Sequence, residues 1–302
     1  MTRPRTARPS VLRPFGVVDA NETLEEARAR NIRDALGEDV GTGDWTALLV
    51  PDGPATARVR VREEAVLCGV DWFAGCFRAL DPGVTFAWSY AEGDEMAADS
   101  VVCELAGGAR ALLSAERPAL DLLQLLSGTA TVTRRYVRAI EGVSPNPRGC
   151  VVLDTRKTIP GMRLAQKHAV RVGGGVNQRI ALWDGILIKE NHIAAAGGVA
   201  EALGAARALG AGPSVPIQVE VEGLDQLREA LASGATSILL DNFSLELMRE
   251  AVAITDGRAL LEASGGISLE ELAAVAATGV DRISVGALTK NVRAVDYSMR
   301  LV

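Results

Sequence analysis

Between Arg156 and Lys189 the chain carries seven basic residues (Arg156, Lys157, Arg163, Lys167, Arg171, Arg179 and Lys189) against one acid, Asp184. That segment is +6, so with an overall formal charge of −6 the remainder of the chain carries −12. Like charges a few ångströms apart repel by about 1 kcal/mol in water and about 4 kcal/mol at an effective dielectric of 20. Gathering several cations in one pocket therefore calls for a polyanionic ligand. Arginine forks grip carboxylate and phosphate through paired hydrogen bonds, whereas lysine acts as a point charge. Two carboxylates follow, Glu220 and Asp241, a pair that suits magnesium together with substrate phosphates, or sugar hydroxyls. Pairing of these acids with Lys189 is the competing reading. Two glycine turns come last, Ser264-Gly265-Gly266-Ile267 and Val285-Gly286-Ala287-Leu288, and glycine lets the backbone approach an anion closely.

These residues share a site only if the fold converges them, and their places in the chain say how it would. Each closes or directly follows a short apolar run: CVVLDTRKT (150–158), GILIKENH (185–192), IQVEVEG (217–223), SILLDNFS (237–244), LLEASGGIS (260–268) and RISVGALT (282–289). The segments between them, such as VAEALGAARALG and LDQLREALASG, have helical spacing. Strands alternating with helices make βα units and a parallel sheet, whose carboxyl ends form the binding face. Six strands, or seven if AVRVGG (169–174) is counted, fall short of the eight of a closed barrel. The sequence therefore predicts an open, incomplete barrel, with a doubly wound sheet as the alternative. Barrels commonly build phosphate sites after the last two strands, where both glycine turns lie.

The first half has a different texture. LEEARARNIRDAL (24–36) reads as a helix with Gly37 as its C′ residue. ATARVRVREEAVLCGV (55–70) alternates with period two, and GVTFAWSY and SVVCELAG read as further strands. This predicts an α+β domain over roughly residues 20–115, and the chain is expected to divide into an N-terminal sandwich domain, 1–127, and a barrel domain, 128–289. Residues 290–302 are expected to pack back on the first domain, and the Arg- and Pro-rich residues 1–15 to form a basic tail. Ser114 is the expected N-cap of a long helix, with Pro118 in its first turn and a break or close helix contact over SGTATVT (127–133).

Composition narrows the partners. The acidic balance argues against nucleic acid, whose affinity rests on a basic surface, and apolar runs such as GILI and SILL are far below the ~20 residues of a membrane span. Cys68, Cys76, Cys103 and Cys150 form no C-x-x-C pair and read as small buried hydrophobes in a reducing, cytoplasmic setting. The two histidines, His168 and His192, lack the spacing of a zinc site. No P-loop, G-x-G-x-x-G, H-E-x-x-H or G-x-S-x-G motif is present.

EDVGTGDWT (38–46), ERPALDLLQLLSGTAT (116–131), LDTRKTIPGMRLAQKHAVRVGGGVNQR (153–179), LIKENHIAAAG (187–197), EVE (220–222), LLDNF (239–243), SGGI (264–267) and VGALT (285–289) together resemble the quinolinate phosphoribosyltransferase family. The resemblance runs from about residue 35 to the C-terminus. It implies a type II phosphoribosyltransferase-like fold, working as a homodimer or higher homo-oligomer. It further implies conversion of quinolinate and phosphoribosyl pyrophosphate (PRPP), with Mg2+, to nicotinate mononucleotide, pyrophosphate and CO2 in NAD biosynthesis. Carried onto this chain, it assigns Arg156, Gln178, Arg179 and Lys189, with Arg117 of the partner subunit, to quinolinate. Lys157, Glu220, Asp241, Ser264, Gly265, Gly266 and Gly286 are assigned to PRPP. Lys157, Lys189, Glu220 and Asp241 are the expected catalytic residues, and Glu220 and Asp241 the metal ligands. Gln178 and Lys290 stand where many family members have histidine. Rival readings are a molybdenum-transport-associated pyrophosphorylase acting on another heteroaromatic acid, a Schiff-base aldolase using Lys189, and a non-catalytic phosphate-binding barrel.

Overall fold

Arg58 and Arg60 point to solvent while Ala57, Val59 and Val61 are fully buried, and this alternation makes the first strand the centre of an antiparallel sheet. The structure, a computed structural model, describes residues 21–210 and 215–302; the basic tail 1–15 lies outside them. Helix α1 (Leu24–Asp39) opens on a capping box in which Thr23 and Glu26 satisfy one another's backbone N–H groups. It runs through Gly37, the expected stop. The left-handed residue that ends it is Gly41, whose N–H reaches the Leu36 carbonyl at 3.3 Å.

A 3-10 turn (Ala47–Leu49) leads to β1 (Pro54–Val61), β2 (Ala65–Val66), α2 (Val70–Leu80), β3 (Thr85–Trp88), β4 (Glu95–Met96) and β5 (Val101–Gly108). The four-stranded sheet has the order β12-β1-β5-β3, and its outer strand β12 (Tyr297–Leu301) returns from the far end of the chain. Strands β2 and β4 form a separate pair. Trp72, Phe73 and Phe77 of α2 fill the core beneath the sheet with Leu120, Leu123 and Leu126.

Those leucines belong to α3 (Ala109–Ala139), which joins the two halves. It begins at Ala109, whose N–H is held by the Gly53 carbonyl at 2.8 Å, not at Ser114. Ser114 instead donates its hydroxyl to Asp44 Oδ2 at 2.9 Å. Pro118 thus lies well inside the helix, where it removes a backbone hydrogen bond at a cost of about 3 kcal/mol, and is buried among the apolar residues that offset this. No break occurs over 127–133, so the helix runs unbroken past residue 127. Thr129, Thr131 and Thr133 turn their hydroxyls onto carbonyls four residues back. Gly128 lets the C-terminal segment approach so closely that a Cβ would overlap the Arg293 carbonyl oxygen.

The second half alternates as the βα reading requires: β6 (Val151–Leu153), α4 (Arg163–Val172), β7 (Ile186–Ile188), α5 (Glu190–Ala196), α6 (Val199–Ala208), β8 (Ile217–Val221), α7 (Leu224–Ala232), β9 (Ser237–Asp241), α8 (Leu245–Thr255), β10 (Leu260–Ser264), α9 (Leu269–Ala276), β11 (Arg282–Ser284) and α10 (Ala287–Lys290). All pairings in its sheet are parallel, in the order β6-β11-β10-β9-β8-β7, and the two edge strands do not pair. It is an open barrel of six strands. The seventh candidate, AVRVGG, is the end of α4 and the glycine turn after it; only Val176 reaches the sheet, as a single bridge to Leu153.

Candidate active site

Each strand of a parallel sheet delivers the residue after it to the same face, and here that face collects the charges. Lys189 directly follows β7 and Glu220 lies near the end of its neighbour β8; Lys189 Nζ donates to both Glu220 oxygens at 3.2 and 3.0 Å. Asp241 closes the next strand, and its charge adds to the shift on Glu220. Burial is the main cause pushing the Glu220 pKa up, Lys189 opposes it, and Asp241 and Glu190 reinforce it. After β10, Gly265 (φ +119°) and Gly266 (φ +63°) take left-handed conformations. A side chain at Gly265 would collide with Asn242, which is tied to the Ser264 carbonyl and to Asp241.

Gly286, after β11, has ordinary φ and matters for space: a Cβ there would stand 3.1 Å from Lys157 Cδ. Lys157 is held over this turn by Thr289, whose hydroxyl donates to the Lys157 carbonyl at 2.8 Å. The segment from Arg156 to Arg163 folds back on itself, with Arg163 donating to Thr158 Oγ1 and the Arg156 carbonyl.

The loop after α4 brings the second guanidinium. Asp154 accepts from Lys167 Nζ, Asn177 Nδ2 and the Gln178 N–H, and Lys167 also donates to the Gln178 carbonyl. This buried knot fixes the start of the Gln178–Arg179 loop. Burial pushes the Asp154 carboxyl up and the Lys167 ammonium down, each toward its neutral form, and their mutual attraction opposes both. Lys167 is thus not a ligand cation, and Arg171 is exposed at the end of α4, so the +6 segment does not act as one cluster. Arg179 donates to the Gly185 carbonyl at 3.0 Å. Its pKa is lowered first by burial and then by the nearby Arg156 charge. Arg156 Nε is itself buried without a hydrogen-bond partner among the described residues.

The structure therefore brings together Arg156, Lys157, Arg179, Lys189, Glu220, Asp241, the Ser264–Gly266 turn and Gly286. Gln178 adjoins them by its backbone, but its side chain turns into the barrel. Arg117 stands apart on α3, 3.5 Å from Asp121. Glu220 and Asp241 offer hard oxygen donors from adjacent strands, as magnesium prefers.

One further cluster went unread in the sequence. Cys68, Glu92 and His168 place donor atoms within 4.8 Å of one another, with Cys68 in the core of the first half. Glu92 is occupied there: it accepts from the Gly69 and Val70 N–H groups at the start of α2 and meets His168 Nε2 at 3.1 Å.

An open α/β barrel with charged side chains gathered at its mouth and an appended antiparallel domain defines the type II phosphoribosyltransferase class of fold. Two family models match this chain: the N-terminal domain of quinolinate phosphoribosyl transferase over residues 44–127 and its C-terminal domain over residues 129–300. The chain belongs to the quinolinate phosphoribosyltransferase family. A Bacillus subtilis (strain 168) protein described as a probable nicotinate-nucleotide pyrophosphorylase (carboxylating) is 43% identical over 263 residues, 87% of this chain and 89% of the relative. A Mycobacterium leprae (strain TN) nicotinate-nucleotide pyrophosphorylase (carboxylating) is 43% identical over 287 residues, 91% of this chain and 98% of the relative. The solved nicotinate-nucleotide pyrophosphorylase of Francisella tularensis superposes with a TM-score of 0.87 at 43% identity, covering 94% of this chain and all of that one (100%). These names favour neither the aldolase nor the molybdenum-associated reading. Among the described residues no helix is long and apolar enough to cross a membrane.

Proposed function

We propose that this chain transfers the phosphoribosyl group of PRPP to the ring nitrogen of quinolinate, releasing pyrophosphate, CO2 and nicotinate mononucleotide for NAD biosynthesis in the cytoplasm. One observation carries the substrate assignment. Arg156 and Arg179 are held close enough for one to depress the other's pKa, and Arg156 keeps a buried Nε–H without a partner among the described residues. Two guanidiniums so placed, with Lys189 beside them, fit a ligand bearing two carboxylates.

The remaining residues divide the work. Glu220 and Asp241 orient the ribose hydroxyls, while the Ser264–Gly266 turn and Gly286, with Lys157 over it, receive the 5′-phosphate. As the bond from C1 to pyrophosphate breaks, its electron pair leaves with pyrophosphate and the sugar gains oxocarbenium character. The pyridine nitrogen lone pair then closes the new C1–N bond. The ring nitrogen is now cationic, so the adjacent carboxylate leaves as CO2 and the ring carbon takes a proton from solvent. No covalent enzyme intermediate is required; positioning and preorganised charge supply the rate. Magnesium, held by Glu220 and Asp241, would neutralise charge on the departing pyrophosphate. In a homodimer, Arg117 of the partner subunit would complete the carboxylate site, which accounts for its separation from the mouth of its own chain.

The test is turnover with PRPP and either quinolinate or nicotinate, with magnesium and with a chelator in its place. Quinolinate-dependent CO2 release that requires magnesium is expected. Turnover of nicotinate instead, or PRPP binding without turnover, would contradict the proposal.

A further inference from the structure

The Gln178 side chain leaves the loop that carries Arg179 and runs down into the barrel. Its Nε2 donates to Gln218 Oε1 at 3.1 Å, and Gln218 Nε2 donates in turn to Glu262 Oε2 at 2.8 Å. Gln218 projects from β8 and Glu262 from β10, positions that barrels ordinarily fill with branched aliphatic side chains. Glu262 is 1% exposed and Gln218 7%. All three line a cavity of about 550 Å³ that also takes in Arg179, Asp184 and Arg282.

Glu262 Oε1 is buried with no hydrogen-bond partner among the described residues. A buried carboxylate oxygen without a protein partner is costly, and apolar side chains of similar shape would fill the barrel more stably. Burial accordingly pushes the Glu262 pKa up, against weaker pulls from Gln218, Ser284 and Arg282. A polar chain that weakens the core needs another reason to be there. The position of its outer end supplies one, because that end is the residue next to Arg179.

We propose that Gln218 and Glu262 are positioning residues: a hydrogen-bonded chain through the barrel that fixes the Gln178 amide and, with it, the Arg179 guanidinium against the substrate carboxylates. This rests on the quinolinate reading of the mouth. Neither residue touches substrate; each acts through Gln178. The sugar-phosphate end has its own anchors, Asn242 on the Ser264 carbonyl and Thr289 on the Lys157 carbonyl. The chain should therefore matter for one substrate and not for the other.

The experiment measures steady-state kinetics of the full-length enzyme with each substrate varied in turn, for Gln218→Leu, Glu262→Leu and Glu262→Gln. Both leucine variants should raise the KM for quinolinate on the order of ten-fold, the effect of misplacing one charge-assisted contact. The KM for PRPP and kcat should stay within about two-fold. Glu262→Gln, which keeps an oxygen to accept from Gln218, should restore the wild-type quinolinate KM. The double leucine variant should be no worse than either single one, since each cuts the same chain.

Equal increases in both KM values, or wild-type kinetics in folded Gln218→Leu, would overturn the proposal. So would loss of fold in both leucine variants while Glu262→Gln folds, because the chain would then serve the barrel and not the site. Arg179→Ala separates the two layers of the argument. If it binds quinolinate normally, the reading of the mouth is wrong; if it is crippled while Gln218→Leu is normal, only the positioning chain is wrong.

Discussion

Lys189 Nζ stands 3.0 Å from Glu220 Oε2, and the two members of this pair differ in environment: the lysine side chain is 45% exposed, the glutamate 9%. Under the proposed function Lys189 serves a carboxylate of the pyridine ring and Glu220 the sugar, and the structure pairs these two groups with each other. Binding of the two substrates must then exchange this internal pair for two external ones. The pairing with Lys189 expected as a rival to a ligand role is thus present for Glu220, whereas the Asp241 carboxylate accepts from Asn242.

Removing Lys189 should consequently hurt twice, once by losing a quinolinate contact and once by leaving Glu220 buried without its cation. Lys189→Ala is expected to lower kcat/KM for both substrates, by about 2–4 kcal/mol of transition-state stabilisation for quinolinate. Steady-state kinetics with each substrate varied checks this. An effect confined to quinolinate would show that the pair with Glu220 is incidental.

The Asp154–Lys167 pair is buried on both sides, so breaking it should cost stability before it costs chemistry. Asp154→Asn leaves the Lys167 ammonium without its counter-charge, an arrangement that costs about 3–5 kcal/mol. A lowered urea midpoint with unchanged slope is the expected result, together with a weaker quinolinate KM from the loosened Gln178–Arg179 loop. Unchanged stability would mean that the pair is not closed in solution.

The two glycine turns should respond differently to the same substitution. At Gly265 alanine meets both a left-handed φ of +119° and Asn242, whose side-chain Oδ1 and Cγ it would overlap and whose Cα stands 3.0 Å away. At Gly286 it meets the flexible Lys157 side chain. Gly265→Ala is expected to raise the KM for PRPP at least about ten-fold and Gly286→Ala by only a few-fold, in line with the strain of a positive φ outside glycine. A reversed order would move the phosphate site to the β11 turn.

Glu262 gives a pH dependence of definite sign. Its folded pKa is raised above the ordinary value of 4.5, so between that value and the raised one the native state holds a proton that the unfolded chain has released. Its contribution to stability is full below that ordinary value and declines as pH rises through the raised one, by up to about 1.4 kcal/mol per pH unit inside the window. Wild-type stability minus that of Glu262→Gln should therefore fall as pH is raised from 4.5, as measured by urea unfolding. A difference independent of pH would show an unshifted group.

Strand ends were legible because parallel βα units obey a positional rule: Lys189, Glu220, Asp241 and Ser264 follow from where apolar runs stop. Burial was not legible. Lys167 looks in the sequence like one more cation of the basic run, and only the fold reveals Asp154 beneath it. Helix α2 passed unread because VDWFAGCFRAL is apolar nearly all round and sits among strands, and Ser114 looked like a cap because serine before an acidic turn has that signature. The Gln178–Gln218–Glu262 chain joins residues 40 and 44 positions apart on separate elements. No local pattern links them, since each alone resembles an ordinary polar residue in a strand or loop.

Arg179, whose guanidinium is held beside Arg156 by the loop that Asp154 fixes, carries the assignment of the mouth to quinolinate. The decisive measurement is kcat/KM for quinolinate in Arg179→Ala at saturating PRPP, with folding verified by its unfolding midpoint. A loss of about two to three orders of magnitude is expected, the cost of deleting one member of a desolvated charge pair in the transition state. A folded Arg179→Ala enzyme with the wild-type value would contradict the assignment of this mouth to quinolinate.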